Sequence, residues 1–156
     1  MTLYTMQNPV FLAYAIAASI MILKIMGQGW MTVYRMLKIE AGWASPEDLR
    51  AGIINRNPRP EQLELHDYVE RSRRIHRNDL ENIPAFLVAA LLFVAVDPPY
   101  ALAVILMATF VVMRLVHTIV YATGQRHEIR SIPYTIGSII VIFMALYVLV
   151  AAAYST

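Results

Sequence analysis

Charged and polar side chains crowd residues 70–82, which run without a turn signal into an apolar stretch at 83–96. On a helix, residues three, four and seven apart share a face. This spacing places Arg74, Arg77, Asn78 and Glu81 on one stripe, whereas Asp79 lies off it. Arginines clamp carboxylates bidentately, and a glutamate can take an ammonium group. The stripe therefore predicts a site for a small zwitterionic ligand with more than one carboxylate.

A second stripe on the same segment comprises Arg73, His76, Arg77 and Leu80. The apolar stretch that follows covers only ~21 Å at about 1.5 Å per residue, whereas a bilayer core is ~30 Å thick. To span a membrane, this helix must take its charged start into the bilayer, where charge is costly and marks a functional site. The alternative is that the charged start of the helix is a solvated amphipathic extension outside the membrane. The shortness of the apolar run argues against this alternative.

The third apolar segment carries Arg114, His117 and Tyr121 at positions i, i+3 and i+7, so all three share one helix face. A lone histidine would indicate a structural hydrogen bond between helices. Its two polar neighbours favour a polar site instead. Metal binding is not predicted, because the chain has no cysteine and its histidines have no ligand-like grouping.

The fourth apolar segment opens with Arg130, Ser131, Pro133 and Tyr134. Ser131 is predicted to cap the helix and Pro133 to lie in its first turn. A helix N-terminus beside an arginine favours an anion. Simple capping with a cytoplasmic positive charge is the alternative explanation.

Composition indicates the elements that position these side chains. The chain has 156 residues, of which 58% are hydrophobic and 15% charged. Soluble domains have ~45–50% apolar and ~25% charged residues. We therefore predict an all-α integral membrane protein with a single domain, residues 1–156. Hydropathy places its four transmembrane helices at about 9–37, 72–96, 101–123 and 132–153, with a loop at 38–71 that contains a short helix at Pro46.

Basic residues are distributed unevenly along the chain. They concentrate in the long loop and its flanks and between spans three and four, whereas the N-terminal tail and the turn at 97–100 have none. The positive-inside rule therefore predicts a cytoplasmic long loop, with both termini on the other side. These cations are interleaved with acids and adjoin apolar spans, so no nucleic-acid partner is predicted.

The segment Val69–Ile83 closely resembles the signature of the membrane-associated proteins in eicosanoid and glutathione metabolism (MAPEG), roughly E-R-x-x-R-A-H-x-N-D-x-E. Ile75 replaces the usual alanine. Three further matches occur in order, at 45–48, 114–121 and 129–135. Pro133 departs from the family pattern. The resemblance extends over essentially the whole chain.

This resemblance implies a four-helix membrane bundle assembled as a homotrimer, with glutathione bound between subunits near the cytoplasmic side. Carried over by position, the glutathione contacts would be Arg35, Arg73, Arg74, His76, Arg77, Asn78, Glu81, His117, Tyr121, Arg130, Ser131 and Tyr134. Lys38 is the alternative to Arg35 as the basic contact late in span one. No metal is implied.

The expected activity is a glutathione transferase that acts on lipophilic electrophiles, with lipid hydroperoxide reduction as an additional reaction. Arg130 would supply charge and Ser131 a hydrogen bond to the sulfur, with Tyr121 or Tyr134 as a further donor. The alternatives are a glutathione-dependent isomerase of the prostaglandin E synthase type and a lipid-binding scaffold. A channel or transporter has little support. The expected location is the endoplasmic reticulum of a eukaryote or the inner membrane of a bacterium.

Overall fold

The computed structural model of the protein describes residues 3–154, which fold as four long helices with a loop region after the first. The helices are α1 (Pro9–Ile39), α2 (Asp67–Ala95), α3 (Tyr100–Ala122) and α4 (His127–Ala153). Each is long and apolar enough to cross a membrane. The prediction of an all-helical chain with four helices able to span a membrane is therefore confirmed.

Local sequence signals explain the ends of α1. Pro9 occupies its first position, and the side chain of Asn8 caps it by accepting a hydrogen bond from the backbone N–H of Val10 at 2.9 Å. The helix ends at Glu40, which adopts a left-handed conformation with φ of 49°. The chain thereby leaves the apolar segment and enters the polar loop.

The second and fourth helices each begin five residues before the predicted start. Helix α2 begins at Asp67, whose carboxylate lies in the first turn and suits the positive end of the helix dipole. Helix α4 begins at His127 with Arg126 as its N-cap, so the prediction that Ser131 caps α4 is wrong. The Ser131 hydroxyl instead donates to the Glu128 carbonyl at 2.8 Å.

The predicted position of Pro133 in the first turn of α4 is also wrong, because Pro133 lies inside the helix and is buried. A proline there removes one backbone hydrogen bond and crowds the preceding turn. The apolar residues on both sides of Pro133 nevertheless continue the helix to Ala153. Hydropathy located the apolar part of α4 and missed its polar first turns.

The helices pack with α2 and α3 at the centre, since each of these contacts the other three helices. Within the described residues, α1 and α4 do not contact each other. The rings of Phe86 and Phe110 stack at 3.9 Å between α2 and α3. Met21 of α1 and Met144 of α4 are also fully buried in this apolar core. The two central helices therefore position the polar side chains described below.

The loop after α1 is held by side-chain hydrogen bonds. It contains two short 3₁₀ helices, Pro46–Leu49 and Pro60–Leu63, the first of which agrees with the predicted short helix at Pro46. The amide nitrogens of Asn55 and Gln62 each donate to the other residue's side-chain oxygen, at 2.7 and 3.3 Å. Both side chains are buried, so this pair fixes the fold of the loop.

Gly42 joins α1 to this loop in a left-handed conformation that favours glycine. Its φ is +72°, and a Cβ atom there would lie 3.0 Å from the Cβ of Val69, which is fully buried. We expect Gly42→Ala to lower the free energy of unfolding by about 1–3 kcal/mol through backbone strain and overlap with Val69. Thermal unfolding in detergent measures this effect. Gly52→Ala is the control, since its Cβ would meet nothing closer than 3.9 Å; an equal effect of both variants would contradict the explanation.

Candidate functional site

A cavity of about 260 Å³ opens where α2, α3 and α4 meet. Six of its lining residues belong to the predicted glutathione-binding set, and the seventh is His127. The lining residues are Asn78, His117, Tyr121, His127, Arg130, Ser131 and Tyr134. The structure thus brings together half of the residues that the sequence assigned to one site.

Three rings and one guanidinium group form the wall of this cavity. The Arg130 guanidinium lies over the Tyr121 ring, 4.4 Å from its centroid. This is a cation–π arrangement, which holds a planar cation in a fixed orientation. The His117 ring lies 5.6 Å from the Tyr121 ring and 6.3 Å from the Tyr134 ring. The predicted shared face of His117 and Tyr121 on α3 is therefore confirmed.

Two polar atoms of this wall lack partners within the described chain. They are Nε of Arg130 and Nδ1 of His117, both buried. A buried polar group without a hydrogen bond costs free energy, so such groups are normally satisfied by protein, water or ligand. Two residues that line the cavity therefore have hydrogen-bonding capacity that the described chain does not use.

Three charged side chains meet in the bundle interior beside the cavity. Asp79 of α2 forms ion pairs with Lys24 of α1 through Oδ2 and with Arg114 of α3 through Oδ1, the latter at 2.7 Å. The same Arg114 Nη2 donates to Asn78 Oδ1 at 2.7 Å. The side chains of Asp79 and Arg114 are fully buried, and that of Lys24 is 8% exposed. Asn78 thus links this buried network to the cavity.

Arg35, Arg73 and His76 face another part of the chain. Arg35 stacks on the Tyr68 ring at 4.5 Å and donates to the Tyr68 carbonyl at 3.0 Å. Arg73 forms an ion pair with Glu70 and donates to the Gly42 carbonyl. His76 approaches Gly29 of α1. Within one chain, these three residues are therefore not brought to the cavity.

Arg74, Arg77 and Glu81 lie exposed along α2 beside Asn78. Arg74 forms an ion pair with Asp67 at 2.7 Å. Across the described part of the chain, the side chains of Arg77 and Glu81 form no hydrogen bond or ion pair. These side chains form an exposed polar surface on α2 that the rest of the chain leaves uncovered.

Sequence reasoning missed Lys24 and Asp79 as parts of one polar centre and also missed His127 in the cavity wall. Lys24 interrupts an otherwise apolar span at its midpoint, and Asp79 is an acid next to Asn78. Buried charges require partners, so the sequence indicates that each of these charges needs a partner but does not identify which one. Within residues 3–154, no group of three histidine, aspartate or glutamate side chains could hold a metal ion.

A second cavity, of about 390 Å³, lies between the first halves of α1 and α3. Apart from the Tyr100 hydroxyl, its lining side chains are apolar, as those of Leu12, Ile16, Met107 and Val111 illustrate. It contains no charged side chain. Of these two cavities, the first is the one lined by side chains able to bind a charged ligand.

The chain combines four helices able to span a membrane with a polar cavity lined by an arginine and two tyrosines, which defines its class as a small membrane protein. The chain belongs to the MAPEG family, whose model matches residues 11–150. The family predicted from the resemblance is thereby confirmed.

The curated relatives include two kinds of enzyme. The chain is 34% identical to microsomal glutathione S-transferase 1 of Sus scrofa and of Homo sapiens, over 149 residues that cover 96% of this chain and 95% of each relative. It is 32% identical to prostaglandin E synthase of Homo sapiens, over 149 residues that cover 95% of this chain and 93% of the relative. The similarity therefore extends over nearly the full length of both kinds of relative.

Proposed function

We propose that this protein is a membrane-bound glutathione transferase that joins the glutathione thiolate to lipophilic electrophiles. The observation that carries the proposal is the cavity wall, where Arg130 and His117 each have a buried polar atom without a partner among residues 3–154. Relatives named glutathione S-transferase, at 34% identity over nearly the whole chain, support it. Glutathione would come from the aqueous phase, and the apolar co-substrate from the bilayer.

The chemistry of the site suits glutathione. The ligand has two carboxylates, one ammonium group and a thiol. Arg74 and Arg77 could bind carboxylates, and Glu81 could bind the ammonium group, because all three are exposed on α2 near Asn78, which lines the cavity. A free thiol has a pKa near ~8.5, which nearby cations lower by stabilising the thiolate. Arg130 supplies such a cation in the cavity wall.

The reaction with 1-chloro-2,4-dinitrobenzene illustrates the proposed mechanism. The bound thiol gives its proton to solvent, and the thiolate sulfur attacks the ring carbon that carries chlorine. A carbon–sulfur bond forms, and the carbon–chlorine bond breaks as chloride leaves with the bonding electrons. Arg130 stabilises the thiolate. Ser131 donates to sulfur only after its hydroxyl leaves the Glu128 carbonyl, and Tyr121 or Tyr134 is the other candidate donor.

A site completed between subunits of a homotrimer is part of this proposal. The cavity, at about 260 Å³, is below the range of roughly 300–1,000 Å³ of complete ligand sites. Arg77 and Glu81 are exposed on a helix that enters a membrane, where lipid would not solvate them. Arg35 lies on a different face of the same chain. A neighbouring subunit that presents its Arg35 side to this cavity would supply the missing wall.

The location is proposed on similar grounds. The loop at 40–66 and the cavity lie at the same end of the bundle, and the basic residues concentrate there. The positive-inside rule then makes this end cytoplasmic. Membrane lipid surrounds the exposed apolar faces of α1 and α4. The corresponding membrane is the endoplasmic reticulum in a eukaryote and the inner membrane in a bacterium.

The second candidate function is a glutathione-dependent isomerase, which the prostaglandin E synthase relatives at 32% identity favour. A non-enzymatic lipid-binding scaffold is the remaining alternative. One experiment with purified protein separates the three. We expect glutathione consumption with 1-chloro-2,4-dinitrobenzene and release of chloride. Isomerisation of an eicosanoid endoperoxide without net glutathione consumption would favour the isomerase. The absence of both reactions would favour the lipid-binding scaffold.

A further inference from the structure

The buried network of Lys24, Asp79 and Arg114 carries more positive than negative charge. Two cations share one carboxylate, each through a separate oxygen. The network therefore has a net charge of one positive unit when all three groups are ionised. Within the described chain, Nε and Nη1 of Arg114 are buried and have no hydrogen-bond partner. An uncompensated buried charge is costly, which makes the network incomplete without an anion.

The position of the network relates this charge to the cavity. Asn78 lines the cavity and accepts a hydrogen bond from Arg114. His117, which also lines the cavity, lies one helical turn after Arg114 on α3. The network therefore adjoins the space where the ligand would bind.

We propose that Lys24, Asp79 and Arg114 form a buried, net-positive support of the site that favours the anionic thiolate of bound glutathione. In this role Lys24 and Asp79 are positioning residues, because they act through Arg114. This inference rests on the proposed function. It assigns a purpose to two buried residues that lie outside the cavity lining and outside the predicted ligand contacts.

Asp79 binds both Arg114 and Lys24, and this explains why a net positive network needs three charged groups rather than two. A single Asp79–Arg114 pair would hold Arg114 in place but cancel its charge. Lys24 engages the other carboxylate oxygen, so that the guanidinium remains fixed while one positive charge stays in excess. In a low-dielectric interior such a charge acts over a longer range than in water. Fixed charge of this kind needs no reorganisation when the thiolate forms.

The test varies the net charge of the network and measures the pKa of the bound thiol. Thiolate absorbance near ~240 nm is followed as a function of pH in glutathione-saturated protein. Lys24→Met brings the network to zero net charge. We expect it to raise the pH midpoint by about one unit, as for a unit charge at ~10 Å with an effective dielectric constant of about 20. Lys24→Met/Asp79→Asn restores one positive unit and is expected to return the midpoint toward that of the wild type.

A structural role alone would not give this reversal, because the double variant removes more native interactions than the single variant. Gln28→Met is the control, since Gln28 is buried on the same helix and donates to Ser72 without carrying charge. It is expected to leave the thiol pKa unchanged. Lys24→Gln is a second neutral variant if the methionine form is not recovered folded.

The outcomes separate this inference from the proposed function. The charge-support role alone would be overturned if Lys24→Met and the wild type had the same pH midpoint of thiolate formation. It would also be overturned if the double variant had the same midpoint as Lys24→Met. Wild-type protein that gives no thiolate signal at any pH would instead remove the proposed function, and this inference with it.

Discussion

Replacing Arg130 by alanine is expected to lower kcat/KM for conjugation of glutathione with 1-chloro-2,4-dinitrobenzene by roughly 10²–10³-fold, the usual effect of removing one group that stabilises developing or bound anionic charge. Arg130 is held over the Tyr121 ring at 4.4 Å, and its buried Nε has no partner in the described chain. Its cation is thus oriented without being neutralised. The variant removes this cation from the cavity wall, so that less of the bound thiol ionises at neutral pH.

The measurement is the initial rate of conjugation at varied glutathione concentration. Arg126→Ala is the matched control, because Arg126 is an exposed arginine four residues earlier that caps α4 and does not line the cavity. Its kcat/KM should remain close to the wild-type value. Arg130→Lys retains charge but loses the planar stacking, so an intermediate rate is expected. Unimpaired conjugation by Arg130→Ala would refute the role assigned to Arg130.

The second large effect concerns stability. Asp79→Ala is expected to lower the free energy of unfolding by about 3–5 kcal/mol, because it leaves two buried cations without a counter-charge. Asp79 is fully buried and joins Lys24, Arg114 and their helices to α2. The loss should appear as a lower midpoint of thermal unfolding in detergent, measured by circular dichroism.

Asp67→Ala is the control for this stability prediction. Asp67 also pairs with two basic residues, Arg71 and Arg74, at 2.8 and 2.7 Å, but its carboxylate is largely exposed to solvent. Exposed ion pairs contribute little because water screens them. The thermal midpoint should therefore remain near that of the wild type. Equal midpoints for Asp79→Ala and the wild type would show that the buried network does not stabilise the bundle.

The apolar spans could be predicted because a membrane imposes a simple requirement on length and hydropathy. The starts of α2 and α4 could not, because their first turns are polar. Helix formation from Asp67 and from His127 depends on capping, backbone hydrogen bonds and packing, which hydropathy does not measure. For the same reason the prediction that Ser131 caps α4 is wrong, because Ser131 lies inside the helix.

The site was predicted in part for a related reason. Helical spacing predicts which residues share a face, and it grouped His117 with Tyr121 correctly. It does not state which neighbour each face meets. Arg73 and His76 therefore proved to lie toward α1 and the loop, whereas Asn78 lies toward α3 and α4.

Lys24 shows a further limit of reasoning from spacing. Its pairing with Asp79 depends on the relative register of two helices, which is set by packing across the bundle. The residue types alone indicated only that each buried charge required some partner. Which partner each one has is a property of the folded bundle.

Formation of thiolate by bound glutathione tests the central claim most directly. Purified wild-type protein is titrated at neutral pH with glutathione, and in parallel with S-methylglutathione, which has the same charged groups but no ionisable thiol. We predict a saturable absorbance increase near ~240 nm with glutathione and none with the methylated compound, because cations beside the cavity lower the pKa of the bound thiol. Saturable binding of both compounds without this absorbance, or binding of neither, would contradict the account.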